Sequence, residues 1–158
     1  MPGFTHLNNE GQPTVVNVSK KNITHRKATA QAIVALPEPV FQELQKDGFT
    51  TKKGTVFQIA IIAGIMAAKK TGELIPLCHP LGLDHCDIHI EVNNQQEIVI
   101  HCTAAVEAKT GVEMEALTGA TVAALTIYDM CKALSHDILI RGIQLMEKTG
   151  GKNDFKRA

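Results

Sequence analysis

The feature that most restricts the possible folds is a double alternation between residues 86 and 106. Cys86, Ile88, Ile90 and Val92 alternate with Asp87, His89 and Glu91; Asn93-Asn94 interrupts; then Ile98, Ile100, Cys102, Ala104 and Val106 alternate again. A period of two puts each apolar set on one face of a sheet, and the asparagines supply the turn. The segment therefore predicts an antiparallel hairpin with one apolar face.

The remaining segments can be placed around that hairpin. TVVNV (14–18) reads as a short strand, and in ATAQAIVAL (28–36) Ala30, Ala32, Val34 and Leu36 share one side of a second strand. Pro37 and Pro39 open a short helix with Val40, Phe41 and Leu44 on its stripe, closed by Asp47-Gly48. TVFQIAIIAGIMAAKK (55–70) predicts a mostly buried helix, with Lys69 and Lys70 in its last turn and Gly72 as its stop. LIPLCHPLGL (74–83) carries two prolines and predicts a rigid connection. Thr110-Gly-Val-Glu113 has the pattern of a capping box ahead of a long helix reaching Lys132, and Ile138 to Met146 predicts a last strand before a Gly-rich tail. Without the short first strand, and with the two early helices as one crossover, the order is βαββαβ. That is the split arrangement of ferredoxin-like α+β folds, an antiparallel sheet with helices on one face.

At 158 residues the chain is expected to form one catalytic domain, 1–158, with the N-terminal ~12 and C-terminal ~10 residues loosely held. Sixteen basic and sixteen acidic side chains balance, and aromatic residues are 4% with no Trp, which argues against a nucleic-acid binder. The apolar run Ile59 to Ala68 is too short to cross a bilayer, and MPGFTHLNN lacks the pattern of a signal peptide. Cys78, Cys86, Cys102 and Cys131 have no CxxC spacing and read as reduced thiols, so the expected location is cytoplasmic and membrane-free.

The helix after Thr110 has a small-residue middle, Ala116, Gly119, Ala120, Ala123 and Ala124, suited to close packing. Its ends carry charge: Glu113 and Glu115 in the first turn, Asp129 and Lys132 one turn apart near the other end. Capping and a surface ion pair would account for these charges without any function. Glu115 and Asp129, however, stand roughly 21 Å apart along a straight helix at about 1.5 Å per residue. If both ends are functional, the helix breaks at Gly119 or each site is completed by a second subunit; a shared site in a symmetric oligomer is the favoured reading.

Three other groups could carry chemistry. Cys78-His79, with His85, Cys86 and His89, resembles a metal cluster only superficially, because the spacing matches no common ligand pattern and His85 and His89 point away from Cys86; no metal and no cofactor is expected. His79 on a rigid loop suits an anion contact better. Lys52-Lys53-Gly54 before a helix could meet a phosphate, and Lys148 and Lys152 flank a Gly-Gly hinge.

LIPLCHPL (74–81), KTGVEMEALT (109–118) and LTIYDMCKAL (125–134) are similar to signature segments of the cyclic pyranopterin monophosphate synthase family of molybdenum cofactor biosynthesis. The likeness runs from THLN (5–8) to the terminal GGK. It implies a phosphorus–oxygen lyase that converts a cyclised dihydro-GTP, 3′,8-cyclo-7,8-dihydro-GTP, to cyclic pyranopterin monophosphate with release of pyrophosphate. It further implies Asp129, Lys132 and Lys53 as catalytic residues, and Leu77, Cys78, His79, Met114 and Glu115 as substrate-binding ones. Glu113 beside them is suited to accept hydrogen bonds from a guanine-like edge. A homohexamer, built as a trimer of dimers with the site at a dimer interface, is implied as well. Two positions depart from the pattern: Asn17 stands where an aspartate is expected, and GGKNDF is one residue short. The alternatives are a non-catalytic module that binds a GTP-like nucleotide, and a metal-dependent hydrolase using His79, His85 and His89.

Overall fold

A computed structural model describes Gly3 and residues 5–158. Four long strands, β1 (Thr24–Ala35), β4 (His85–Val92), β5 (Ile98–Ala108) and β6 (Leu139–Thr149), form one sheet with the two-residue β7 (Phe155–Lys156) at its edge. The sheet order is β4-β5-β1-β6-β7 and every pairing is antiparallel. This is the ferredoxin-like α+β arrangement expected from βαββαβ. Between β1 and β4 come α1 (Glu38–Lys46), the small hairpin β2 (Thr50–Thr51) and β3 (Gly54–Thr55), α2 (Val56–Ala68) and the one-turn α3 (Thr71–Leu74); α4 (Glu113–Cys131) precedes β6.

The alternation in β1 and the hairpin decides which face is dry. Ala28, Ala30, Ala32 and Val34 of β1, with Ile88, Ile98, Ile100, Cys102, Ala104 and Val106, are buried beneath α2 and α4. The small residues of α4 do what their size allows. A Cβ on Gly64 of α2 would lie 2.7 Å from the Gly119 carbonyl oxygen, so the two helices touch backbone to backbone at that point. α4 runs unbroken through Gly119. Among the described residues no helix is long and apolar enough to cross a membrane.

Several local readings are corrected. TVVNV (14–18) forms no strand: β1 has β5 and β6 on its two sides, and the segment instead lies over a cleft, with only the bridge Leu7 to Pro13 before it. Lys52 and Lys53 sit in the turn of the β2-β3 hairpin rather than in a simple helix lead-in. Gly72 does not stop a helix but lies inside α3, where a Cβ would crowd Pro80 Cα at 3.1 Å. The capping box does not form, since the residue ahead of α4 is Val112 without a side-chain cap and the Thr110 hydroxyl is buried without a partner. Val112 is 1% exposed, and seating that side chain in the core starts the helix later.

The tail expected to be loosely held returns to the sheet as β7, with Phe155 and Lys156 paired to β6. Gly150, at φ +82°, approaches the His25 carbonyl so closely that no side chain fits, and its own oxygen accepts the Thr24 hydroxyl at 2.7 Å.

Candidate active site at the two ends of one helix

A cleft of about 300 Å³ lies at the start of α4. Its walls are the loop holding Leu77, Cys78 and His79, the first turn with Met114 and Glu115, and the strap that carries Val16 and Val18. The two prolines fix the loop, because neither position can enter a regular ladder. Five of the residues singled out in the sequence, Leu77, Cys78, His79, Met114 and Glu115, thus meet in one hollow.

The electrostatics of the cleft come from one buried acid among cations. Glu115 is 3% exposed, and burial, reinforced by the neighbouring Glu113 charge, pushes its carboxyl above the usual range. Burial, followed by the Glu115 charge, also raises the Cys78 thiol, so Cys78 is a neutral lining group and a poor nucleophile. Facing them are Lys21 and Arg26, which the sequence reading overlooked. Arg26 spends two of its donors on the Ala108 and Lys109 carbonyls at 3.3 and 3.2 Å, which anchors the guanidinium at the rim. His79 Nε2 stands 2.6 Å from the Val16 carbonyl; a carbonyl only accepts, so this nitrogen donates and holds the strap. Asn17, the position that departs from the family pattern, accepts the Ser19 N–H at 2.9 Å, a bond an aspartate would also make.

Glu113 is not in this cleft. Its carboxylate pairs with Lys148 at 3.0 Å in a small neighbouring depression that shares Arg26 and Gly111 with the main one. Lys152 is exposed in the tail.

Asp129 lies at the far end of α4, between two lysines. Lys132, one turn on, and Lys53, from the β2-β3 turn, each place Nζ 2.8 Å from a different carboxylate oxygen; Lys53 also donates to the Asp129 carbonyl at 3.1 Å. The hydrogen bonds from Lys132, then from Lys53, pull the carboxyl down to about 2, and Asp129 in turn raises Lys132. Gly54, at φ +119°, allows the turn that delivers Lys53, since few other residues adopt that backbone.

The structure therefore gathers the chosen residues other than Glu113 into two groups and keeps the groups apart, because α4 is continuous and roughly 21 Å separates Glu115 from Asp129 at about 1.5 Å per residue. His79 is in the cleft while His85 and His89 lie on β4, and among the described residues no three His, Cys, Asp or Glu side chains gather as metal ligands.

The chain is similar to characterised families over nearly its full length. The MoaC family model matches residues 15–151. A protein of Xanthomonas oryzae pv. oryzae named cyclic pyranopterin monophosphate synthase is 51% identical over 155 residues, covering 98% of this chain and 94% of the relative. A Lysinibacillus sphaericus protein of the same name is 46% identical, covering 97% and 96%. A Synechocystis protein named molybdenum cofactor biosynthesis bifunctional protein is 50% identical over 98% of this chain and 46% of its own length. On these matches the chain belongs to the MoaC family.

Proposed function

We propose that this chain is a cyclic pyranopterin monophosphate synthase acting as a single catalytic domain on 3′,8-cyclo-7,8-dihydro-GTP, and that each active site joins the cleft of one subunit to the Asp129 end of another. The observation that carries the reading is α4 itself, with a buried carboxyl in a cationic cleft at one end and an aspartate held by two lysines at the other.

The chemistry fits these groups. Glu115 is suited to accept hydrogen bonds from the N–H edge of a guanine-derived ring, and Lys21 and Arg26 lie where a polyphosphate would need cations, with His79 beside them. Ring opening and rebuilding need proton transfers. At rest Asp129 is too weak a base for them, with its carboxyl near 2. Phosphate oxygens that draw Lys53 and Lys132 onto themselves would release Asp129 toward ordinary basicity, so substrate would switch on its own base. In the phosphate step a ribose hydroxyl attacks the first phosphorus and gives up its proton to Asp129, a new O–P bond forms, and the bond to the pyrophosphate oxygen breaks. The two lysines stabilise the charge gathering on that leaving group.

Subunit sharing is supported by a partly exposed stripe on α4. Met114, Thr118, Val122, Leu125 and Asp129 recur at helical spacing, with Leu125 56% exposed, and α2 adds Ile62 at 59% and Met66 at 52%. Two copies of α4 packed antiparallel about Val122 set Glu115 opposite the partner's Asp129. A dimer of this kind is the unit of the expected hexamer. Four unpaired cysteines fit a reducing cytoplasm. The test is incubation of the purified chain with the cyclised dihydro-GTP: pyrophosphate and the cyclic phosphate should appear together. Ligand binding without pyrophosphate would leave a nucleotide-binding module instead.

A further inference from the structure

The turn that carries Lys53 cannot hold its own shape. β2 and β3 are two residues each and pair only with one another, Thr50 opposite Thr55 and Thr51 opposite Gly54. A hairpin so short is marginal in water. The ion pair at its tip does not supply the missing support, because Lys53 and Asp129 are both about half exposed and such pairs contribute little. Yet Lys53, rather than its identical neighbour Lys52, donates to both the carboxylate and the carbonyl of Asp129. The angle at which the hairpin leaves the body of the protein must be fixed at its base.

Phe49 stands at that base. α1 ends in a paired closure: the Gly48 N–H donates to the Gln45 carbonyl at 3.1 Å and the Phe49 N–H to the Leu44 carbonyl at 2.7 Å. The Phe49 carbonyl then accepts the Val56 N–H at 2.9 Å, across the open end of the hairpin and at the first residue of α2. One residue thus ties the end of α1, the start of α2 and both legs of the hairpin. Its backbone is left-handed, φ +54°, directly after Gly48 at +60°. A residue with a side chain rarely adopts that conformation and keeps it only where its surroundings over-determine it. Here the surroundings are aromatic. The Phe49 ring is stacked on Phe57 of α2 at 4.7 Å between centroids and stands edge-on to Phe41 of α1 at 5.6 Å, and Phe41 is itself buried in the core. Both arrangements are ones that aromatic rings favour.

We propose that Phe49 is a positioning residue: its ring, clamped between Phe41 and Phe57, holds the base of the β2-β3 hairpin at the angle that delivers Lys53 to Asp129. Near the tip Gly54 lies over the Ile59 side chain of α2, where a Cβ would come within 2.9 Å, so the hairpin rests on α2 at both ends. Phe49 acts on the chemistry only through Lys53, and the inference rests on the function proposed above to the extent that Lys53 takes part in turnover.

The experiment separates the ring from the backbone. Phe49→Ala removes the ring, Phe49→Gly removes it and also relaxes the left-handed backbone, and Phe49→Tyr keeps it. The Ala and Gly variants should lower kcat with the cyclised dihydro-GTP by roughly 10- to 100-fold, the scale of a misplaced catalytic group, while Tyr stays within about twofold of wild type. In a Lys53→Ala background Phe49→Gly should lower kcat no further, whereas general damage to the fold would still add. A second readout needs no turnover. Lys53 and Lys132 together hold the Asp129 carboxyl near 2, so its midpoint, followed by carboxyl carbon-13 NMR, should rise in Phe49→Gly as it does in Lys53→Ala, and stay put in Phe49→Tyr. A wild-type chain that releases no pyrophosphate would remove the proposed function and leave the titration to decide. A Phe49→Gly variant of wild-type kcat, an equal further loss in the Lys53→Ala background, or an unmoved Asp129 midpoint would overturn the proposal.

Discussion

The two ends of α4 hold one acidic side chain each at the centre of a candidate half-site, and the fold treats the two in opposite ways. Glu115 is buried and its carboxyl is pushed up; Asp129 is half-exposed and its carboxyl is pulled down to about 2 by two lysines. The difference lies in what surrounds each acid. The first turn of α4 is seated in the core beside Val112, whereas its last turn meets the β2-β3 hairpin and solvent. The buried end can recognise a ligand by shape and hydrogen bonds, and the exposed end holds charges that a phosphate can rearrange.

The comparison makes predictions in descending order of effect. Asp129→Asn and Lys132→Ala should each lower kcat by roughly 10²- to 10⁴-fold, the usual contribution of a proton-transfer group, while urea melts stay within about 0.5 kcal/mol of wild type, as for other exposed positions. Normal turnover from either would remove the Asp129 end from the chemistry. Glu115→Gln should weaken substrate binding by roughly 10- to 100-fold, the scale of one charge-assisted hydrogen bond.

Glu115→Gln should also raise the melting temperature at neutral pH. The folded carboxyl titrates above its unfolded value of about 4.3, so the native state binds the extra proton and loses stability as pH rises through the raised value. The gain from Gln should therefore vanish below pH ~4 and grow as pH rises through the raised value. A gain independent of pH would mean that the acid is not strained by burial.

Gly64→Leu should cost about 1–3 kcal/mol by overpacking the α2-α4 contact that separates the two ends. Lys148→Ala, which leaves Glu113 unpaired at a half-exposed site, should cost less than about 1 kcal/mol in a thermal melt.

Much of this was legible in the chain because periodicity is a long-range signal. The hairpin, the dry face of β1 and the small stripe of α4 repeat over many residues and survive local errors. What was illegible depends on contacts between distant segments. TVVNV has the composition of a strand, yet its place is fixed by His79 holding the Val16 carbonyl. Thr110 has the pattern of a cap, yet Val112 starts the helix from the core. Arg26, on β1, and Lys21, just ahead of it, became site residues only when the fold brought them beside the loop of Leu77, Cys78 and His79, far outside the window in which periodicity is read. Glu113 and Glu115 look alike in sequence, and only the side of the helix each takes sends one to Lys148 and the other into the cleft.

The central claim, that one helix serves two sites, is tested by mixing Glu115→Gln chains, assayed at a substrate concentration too low for their weakened binding to support turnover, with inactive Asp129→Asn chains under conditions of demonstrated subunit exchange. Random pairing makes half of the dimers mixed, each with one complete site, so about a quarter of wild-type turnover should return. No recovery after complete exchange would show that each site is built within a single chain and would contradict the account.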